Sequence, residues 1–200
     1  MNPLLEKNVN ALSNKDLSGL EEKEMPEVAA LAVVYYRDGL YCSEALLRAF
    51  NEVYELGLPE NAYKMATGFG SGMAESGCAC GTITSCVMVL GMVVGRTHKG
   101  ESEILVYDAV KKLQDLFKKE YKSACCRVLT KTVTWGSKEH TCLCEKYVVL
   151  AACITDQILK EDLHDYLPKT GNRKTPKKIS ILSLKRRLRG TFNRDTSRTK

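Results

Sequence analysis

The chain has 200 residues, 44% of them hydrophobic and 27% charged, with a formal net charge of +6 at pH 7. A chain of this length and apolar content can bury a core without covalent staples, and its nine cysteines fall short of the density of a disulfide-scaffold mini-protein. The net charge hides an asymmetry: residues 169–200 hold twelve Lys and Arg against one acid, Asp195, and the rest of the chain is mildly acidic. The first 25 residues lack the apolar stretch of a secretion signal, and the longest apolar run, residues 86–95, is about half a membrane span. The expected setting is the cytoplasm, where grouped thiols stay reduced and serve metal binding or redox chemistry. An odd number of cysteines agrees, since nine thiols cannot all pair internally.

Three regions are expected: a polar extension over 1–25, a helical domain over 26–163 and a basic, disordered tail over 164–200. Within the domain, EVAALAVVYYRD (27–38) has helical apolar spacing and stops at Gly39. SEALLRAFNEVYE (43–55) is amphipathic, with Ala45, Leu46, Ala49, Phe50 and Val53 on one face, and Gly57 ends it. Pro59 opens a short helix at a favoured first position. The glycine-rich loop GFGSGMAESG (68–77) follows. Residues 81–94 are almost wholly apolar, as suits a central buried helix, and Gly95 closes it. SEILVYDAVKKLQDLFKKEY (102–121) is a long amphipathic helix with Ile104, Leu105, Ala109, Leu113 and Leu116 on its apolar face. Ser123 suits a cap for the short helix SACCRVL. Residues 131–141 read as a polar loop around Trp135 and Gly136, with a trace of strand pattern in KTVTW. A last core helix spans about 144–159. The expected fold is all-α, a compact bundle of five or six helices with a flexible basic tail. ISILSLKRRLRG (179–190) has the pattern of one short basic helix within that tail.

Four cysteines fall where helices are expected to begin: Cys42, Cys80, Cys126 and Cys144. Free N–H groups and the partial positive charge of a helix start stabilise a thiolate, the form that binds metal and carries redox chemistry. Spacings of 38, 46 and 18 residues separate them, and no CxxC occurs. That excludes the compact pairs of zinc fingers, the thioredoxin motif and the CxxCH of a c-type haem. A site assembled by folding remains, and four thiolates at one point suit an iron–sulfur cluster. Ordinary burial as small apolar residues is the competing explanation.

GFGSGMAESGCACGTITSCVMVLGMVVG resembles the central segment of the C_GCAxxG_C_C family of redox proteins. YCSEALLRAF upstream, with SACCRVL and CEKYVVLAACITDQIL downstream, resembles its other cysteine segments, in order, over about residues 27–160. The resemblance implies a small helical redox protein related to the cluster-bearing part of split-Soret cytochromes, an oxidoreductase component whose enzymatic activity stays undecided. It places the family cysteines on Cys42, Cys80, Cys126 and Cys144. The chain departs from the family's CGAxxG, since Cys80-Gly81 is followed by Thr82 and the last Gly is Ser85.

Cys78, Cys125 and Cys142 lie beside three of these four and are candidates for alternative ligands or resolving thiols in a metal-free thiol–disulfide relay. Cys125 and Cys126 are adjacent, too close for ordinary disulfide geometry. Cys86 and Cys153 read as core. Gly68, Gly70, Gly72, Gly77 and Gly81 suit backbone that bends sharply beside a cofactor; without a preceding strand they make no dinucleotide fingerprint. His140 is a candidate substitute ligand or a plain surface residue, and Met65, Met73, Met88 and Met92 read as packing residues. Leu167-Pro168-Lys169-Thr170-Gly171 spells a sortase-type signal but lacks the apolar span such a signal needs. The basic tail suits an acidic partner, nucleic acid or anionic lipid, which makes a binding module the third functional class. A redox partner protein is expected, and a homodimer is left open.

Overall fold

The computed structural model describes residues 25–168. The expectations for the polar extension and for the basic tail from residue 169 onward lie outside those residues. Every regular element described is helical: α1 (Glu27–Arg37), α2 (Cys42–Tyr54), α3 (Tyr63–Thr67), α4 (Gly70–Met73), α5 (Gly81–Val94), α6 (Ile104–Tyr121), α7 (Cys126–Leu129) and α8 (Lys138–Glu161). Single 3₁₀ turns at Glu60–Ala62 and His164–Tyr166 complete it. KTVTW forms turns rather than a strand, and the described residues contain one isolated bridge, Ala79 to Cys125.

Apolar spacing decides the packing. α1 and α2 pack against each other; α2 also covers α5, and α1 lies on α8. α6 closes the bundle against α5 and α8. Leu46, Phe50, Leu90, Leu113, Leu150 and Ile154 meet in the interior, almost without exposure. Each such side chain contributes about 1.5–3 kcal/mol on burial. Polar bonds fix the register between helices. Tyr54 donates to Asp156 Oδ1 at 2.6 Å, joining α2 to α8. Arg37 clasps Glu145 with two bonds of 2.7 and 2.6 Å, joining the end of α1 to α8.

Three expectations need correction. The last helix begins at Lys138, six residues before Cys144, because Ser137 caps it by accepting the His140 N–H at 3.1 Å. The added turns overhang the core, so Lys138, Glu139, Thr141 and Cys142 are exposed and show no apolar rhythm. In α6 the buried row is Ala109, Leu113 and Phe117, while Ile104 and Leu105 at its first turn project into solvent. Met65, Met73 and Met92 are exposed rather than packed. No helix among the described residues is long and apolar enough to cross a membrane.

Candidate functional site

Four chain segments carry Cys42, Cys80, Cys126 and Cys144 close enough for charge on one to act on the others. Cys42 is the first residue of α2, where Glu44 reaches back to accept the Tyr41 N–H at 2.9 Å. Cys80 caps α5. Cys126 opens α7. Cys144 lies in the second turn of α8, so three of the four, rather than all, stand at helix starts.

Backbone pairing joins the second and third. Cys80 N–H donates to Ala124 O at 2.8 Å, Cys126 N–H to Cys78 O at 2.7 Å, and Arg127 N–H to Gly77 O at 3.0 Å. This short antiparallel contact brings the Cys80 and Cys126 side chains near enough for each thiol to act on the other's proton. The other two thiols belong to the same group: a charge on Cys80 or Cys144 acts on Cys42, and charges on Cys80, Cys144 and Cys42 act on Cys126.

The four sulfurs are not equivalent. Cys80 is the natural thiolate, drawn down to about 7 by the Cys126 thiol, the Thr82 hydroxyl and the N–H groups of Thr82 and Ile83. The Thr82 hydroxyl lies 3.2 Å from its sulfur. Its partner Cys126 moves the opposite way, because Cys80 and burial keep its proton in place. Burial also raises Cys42, with the Ser71 N–H acting against that rise. Burial pushes Cys144 up to about 12, and Tyr36 opposes it. Cys80 and Cys126 are buried, and Cys42 and Cys144 are partly exposed.

The glycine segment approaches the thiols at Gly72 and has an unusual conformation. Five consecutive residues, Ser71 to Glu75, have positive φ, between 49° and 71°. Left-handed backbone costs an L-residue roughly 1–2 kcal/mol, so such a run persists only where its surroundings over-determine it. It is pinned by Ala74 N–H to Gly70 O at 2.9 Å and Cys78 N–H to Gly72 O at 2.9 Å. A Cβ on Gly72 would stand 2.5 Å from Cys126 Cβ, and one on Gly81 would stand 2.6 Å from Cys42 Sγ. The other three expected glycines do not border the thiols. Gly70 packs on the Tyr41 ring, Gly77 on Arg127, and Gly68 faces open space.

The neighbouring cysteines stand apart. Cys78 and Cys142 are exposed, and Cys125 donates its S–H to Gly77 O at 3.2 Å. Cys86 and Cys153 are core residues, both raised to about 12 by burial. The two departures from CGAxxG are accommodated: Thr82 bonds the Cys80 sulfur, and the buried Ser85 hydroxyl donates to Ser43 O at 2.6 Å. Tyr36 and Ser71 are site residues that sequence reading missed. Tyr36 has the spacing of a packing residue, and Ser71 acts through its backbone alone, so neither carried a signal.

Among the described residues no three Cys, His, Asp or Glu side chains gather closely enough to hold a single metal ion. Four thiolates are the donor set of an iron–sulfur cluster. In comparisons with known proteins, the family model described as "Putative redox-active protein (C_GCAxxG_C_C)" matches residues 40–158. No curated protein and no solved structure matches.

Proposed function

The chain belongs to the C_GCAxxG_C_C family of redox-active proteins, and from that premise we propose that Cys42, Cys80, Cys126 and Cys144 form one redox centre that takes an iron–sulfur cluster. The observation that supports this reading is the mutual interaction of four thiols brought from four separate segments. A simple dithiol needs only two. Bound there, a cluster would supply one-electron transfer to or from a partner protein. The chain's own contribution is to exclude water and to supply donors. Gly72 and Gly81 let backbone approach the sulfurs, and Tyr36 acts on Cys144, while Ser71 N–H and Thr82 Oγ1 hydrogen-bond to Cys42 and Cys80. Such bonds stabilise electron-rich sulfur and tune potential. A cytoplasmic setting, which keeps thiols reduced, suits this chemistry.

Anaerobic reconstitution with iron and sulfide tests the reading. Visible absorbance with bound iron and sulfide is expected, lost on Cys→Ser change at 42, 80, 126 or 144 and kept in Cys78→Ser and Cys142→Ser. Absence of bound iron, or colour indifferent to all four changes, would overturn it.

One observation favours a second reading. Backbone pairing holds Cys80 and Cys126 side by side, with one thiol inclined to lose its proton and the other to keep it. As a metal-free relay, the Cys80 thiolate would attack a substrate disulfide and release one substrate thiolate. Cys126 would then lose its proton and attack the Cys80 sulfur. That step releases the second substrate thiolate and leaves a Cys80–Cys126 disulfide. Peptide mass mapping of iron-free protein after disulfide treatment decides it: a specific Cys80–Cys126 link supports the relay, and its absence removes it.

A further inference from the structure

Two side chains able to donate hydrogen bonds stand beside Cys144, and no thiol chemistry by itself requires them. The first is His140, one turn earlier on α8, whose Nε2 lies 3.6 Å from Cys144 Sγ. The local backbone settles which ring nitrogen carries the proton. Gly136 N–H donates to His140 Nδ1 at 3.4 Å, which makes Nδ1 an acceptor and places the hydrogen on Nε2, facing the sulfur. The ring also lies against Trp135 with centroids 4.3 Å apart, and the backbone N–H of His140 is held by the Ser137 hydroxyl at 3.1 Å. The second is Tyr36, near the end of α1, close enough to Cys144 that each acts on the other's hold on its proton. The position of Tyr36 is fixed by the next residue, because Arg37 holds Glu145, the residue after Cys144, with two bonds of 2.7 and 2.6 Å. Consecutive residues of α1 thus engage consecutive residues of α8.

We propose that His140 and Tyr36 are paired positioning residues that donate to the Cys144 sulfur and thereby set how readily the four-thiol centre accepts electrons. The inference rests on the cluster reading above, in which Cys144 is one of the four ligands. A hydrogen bond to sulfur is stronger when the sulfur carries more negative charge, so it stabilises the reduced form more than the oxidised form. Both donors therefore raise the reduction potential. They stand beside the partly exposed Cys144, whereas the buried Cys80 has its own donors in Thr82 and the N-terminus of α5.

The test is a redox titration of the full chain, loaded with its centre, as wild type, Tyr36→Phe, His140→Phe and the double variant. Tyr36→Phe deletes one hydroxyl, and His140→Phe keeps a ring against Trp135 without the donor. Each single change is expected to lower the potential, raising the oxidised-to-reduced ratio at fixed potential about tenfold. That is about 59 mV for a one-electron centre, with a larger shift in the double variant. Circular dichroism checks that the fold is kept; should His140→Phe disturb α8, Tyr36→Phe decides alone. A titration unmoved by Tyr36→Phe and His140→Phe overturns the inference and leaves the cluster reading standing. A wild-type protein with no redox transition sinks both.

Discussion

A single methyl group would have opposite effects at two glycines of α5. Gly91 lies in mid-helix with nothing within 4 Å of an added Cβ. Alanine there relieves the helix penalty of glycine, and Gly91→Ala should stabilise the protein by about 0.5–1 kcal/mol. At Gly81 the same Cβ would meet Cys42 Sγ at 2.6 Å and Phe69 O at 2.9 Å, neither at the end of a flexible chain. Overpacking costs about 1–3 kcal/mol, so Gly81→Ala should destabilise despite the better helix former. Urea midpoints of the two variants moving in opposite directions are the expected result. Glu27 carries a pH effect of definite sign. Burial and the nearby Glu52 raise its carboxyl above the ordinary 4.5, while Lys160 acts against them. The folded chain therefore holds this proton more tightly than the unfolded one, and the group's contribution to stability falls as pH rises from 4.5 through the folded value. Glu27→Gln removes that fall. Its Tm relative to wild type should climb between pH 4 and 7, and a flat difference would show the carboxyl to be unstrained.

Between α7 and α8, one hydroxyl decides where a helix starts and so where two candidate site residues stand. Ser137→Ala deletes the acceptor of the His140 N–H, at a cost of about 1 kcal/mol. The loss should concentrate in the first two turns of α8, which lack core contacts to hold them. Amide exchange is expected to quicken over residues 138–144 while staying slow over 147–159, whose side chains are mostly buried. Uniform exchange along the helix would refute this division. The same division explains what could be read in advance. α1, α2, α5 and α6 each show apolar residues at helical spacing between clear breakers, so their limits were legible from 27 to 121. The first turns of α8 have no buried face, and without one the periodicity that reveals a helix is missing. The left-handed turn at 71–75 was equally hidden. Glycine at 70, 72 and 77 announces sharp bending, but Ser71, Met73, Ala74 and Glu75 adopt positive φ because of what surrounds them. Cys42, Cys80 and Cys126 were legible because each stands at a helix start, whereas Cys144 joined them through a helix start expected six residues too late. Their hydrogen-bond donors were not, since a backbone N–H at Ser71 and a tyrosine in an apolar helix look like any others.

Tyr147 is buried in the core and lies within reach of charge on Cys144, Cys80 and Cys126, so packing far from sulfur should be felt at the thiols. Phe117 is fully buried and meets Tyr121 at 5.3 Å and Tyr147 at 6.2 Å between ring centroids. Tyr147 in turn donates its hydroxyl to Leu129 O at 2.8 Å, holding the end of α7, the four-residue helix that begins with Cys126. Two variants separate global from local effects. Phe117→Ala opens a cavity in the bundle and should cost about 3–5 kcal/mol, lowering Tm for the whole molecule. Tyr147→Phe keeps the ring and loses only the anchor on Leu129, a cost of about 1 kcal/mol. Its effect should be concentrated on α7, which has one turn of its own and depends on outside bonds. Thiol labelling of reduced, metal-free protein reads this directly. Cys126 should label about fivefold faster in Tyr147→Phe, since about 1 kcal/mol corresponds to that change in an opening equilibrium. Cys86 and Cys153, held in the long helices, should keep their wild-type rates. Equal acceleration at all three would mean that the hydroxyl supports the entire bundle and that α7 has no independent mobility.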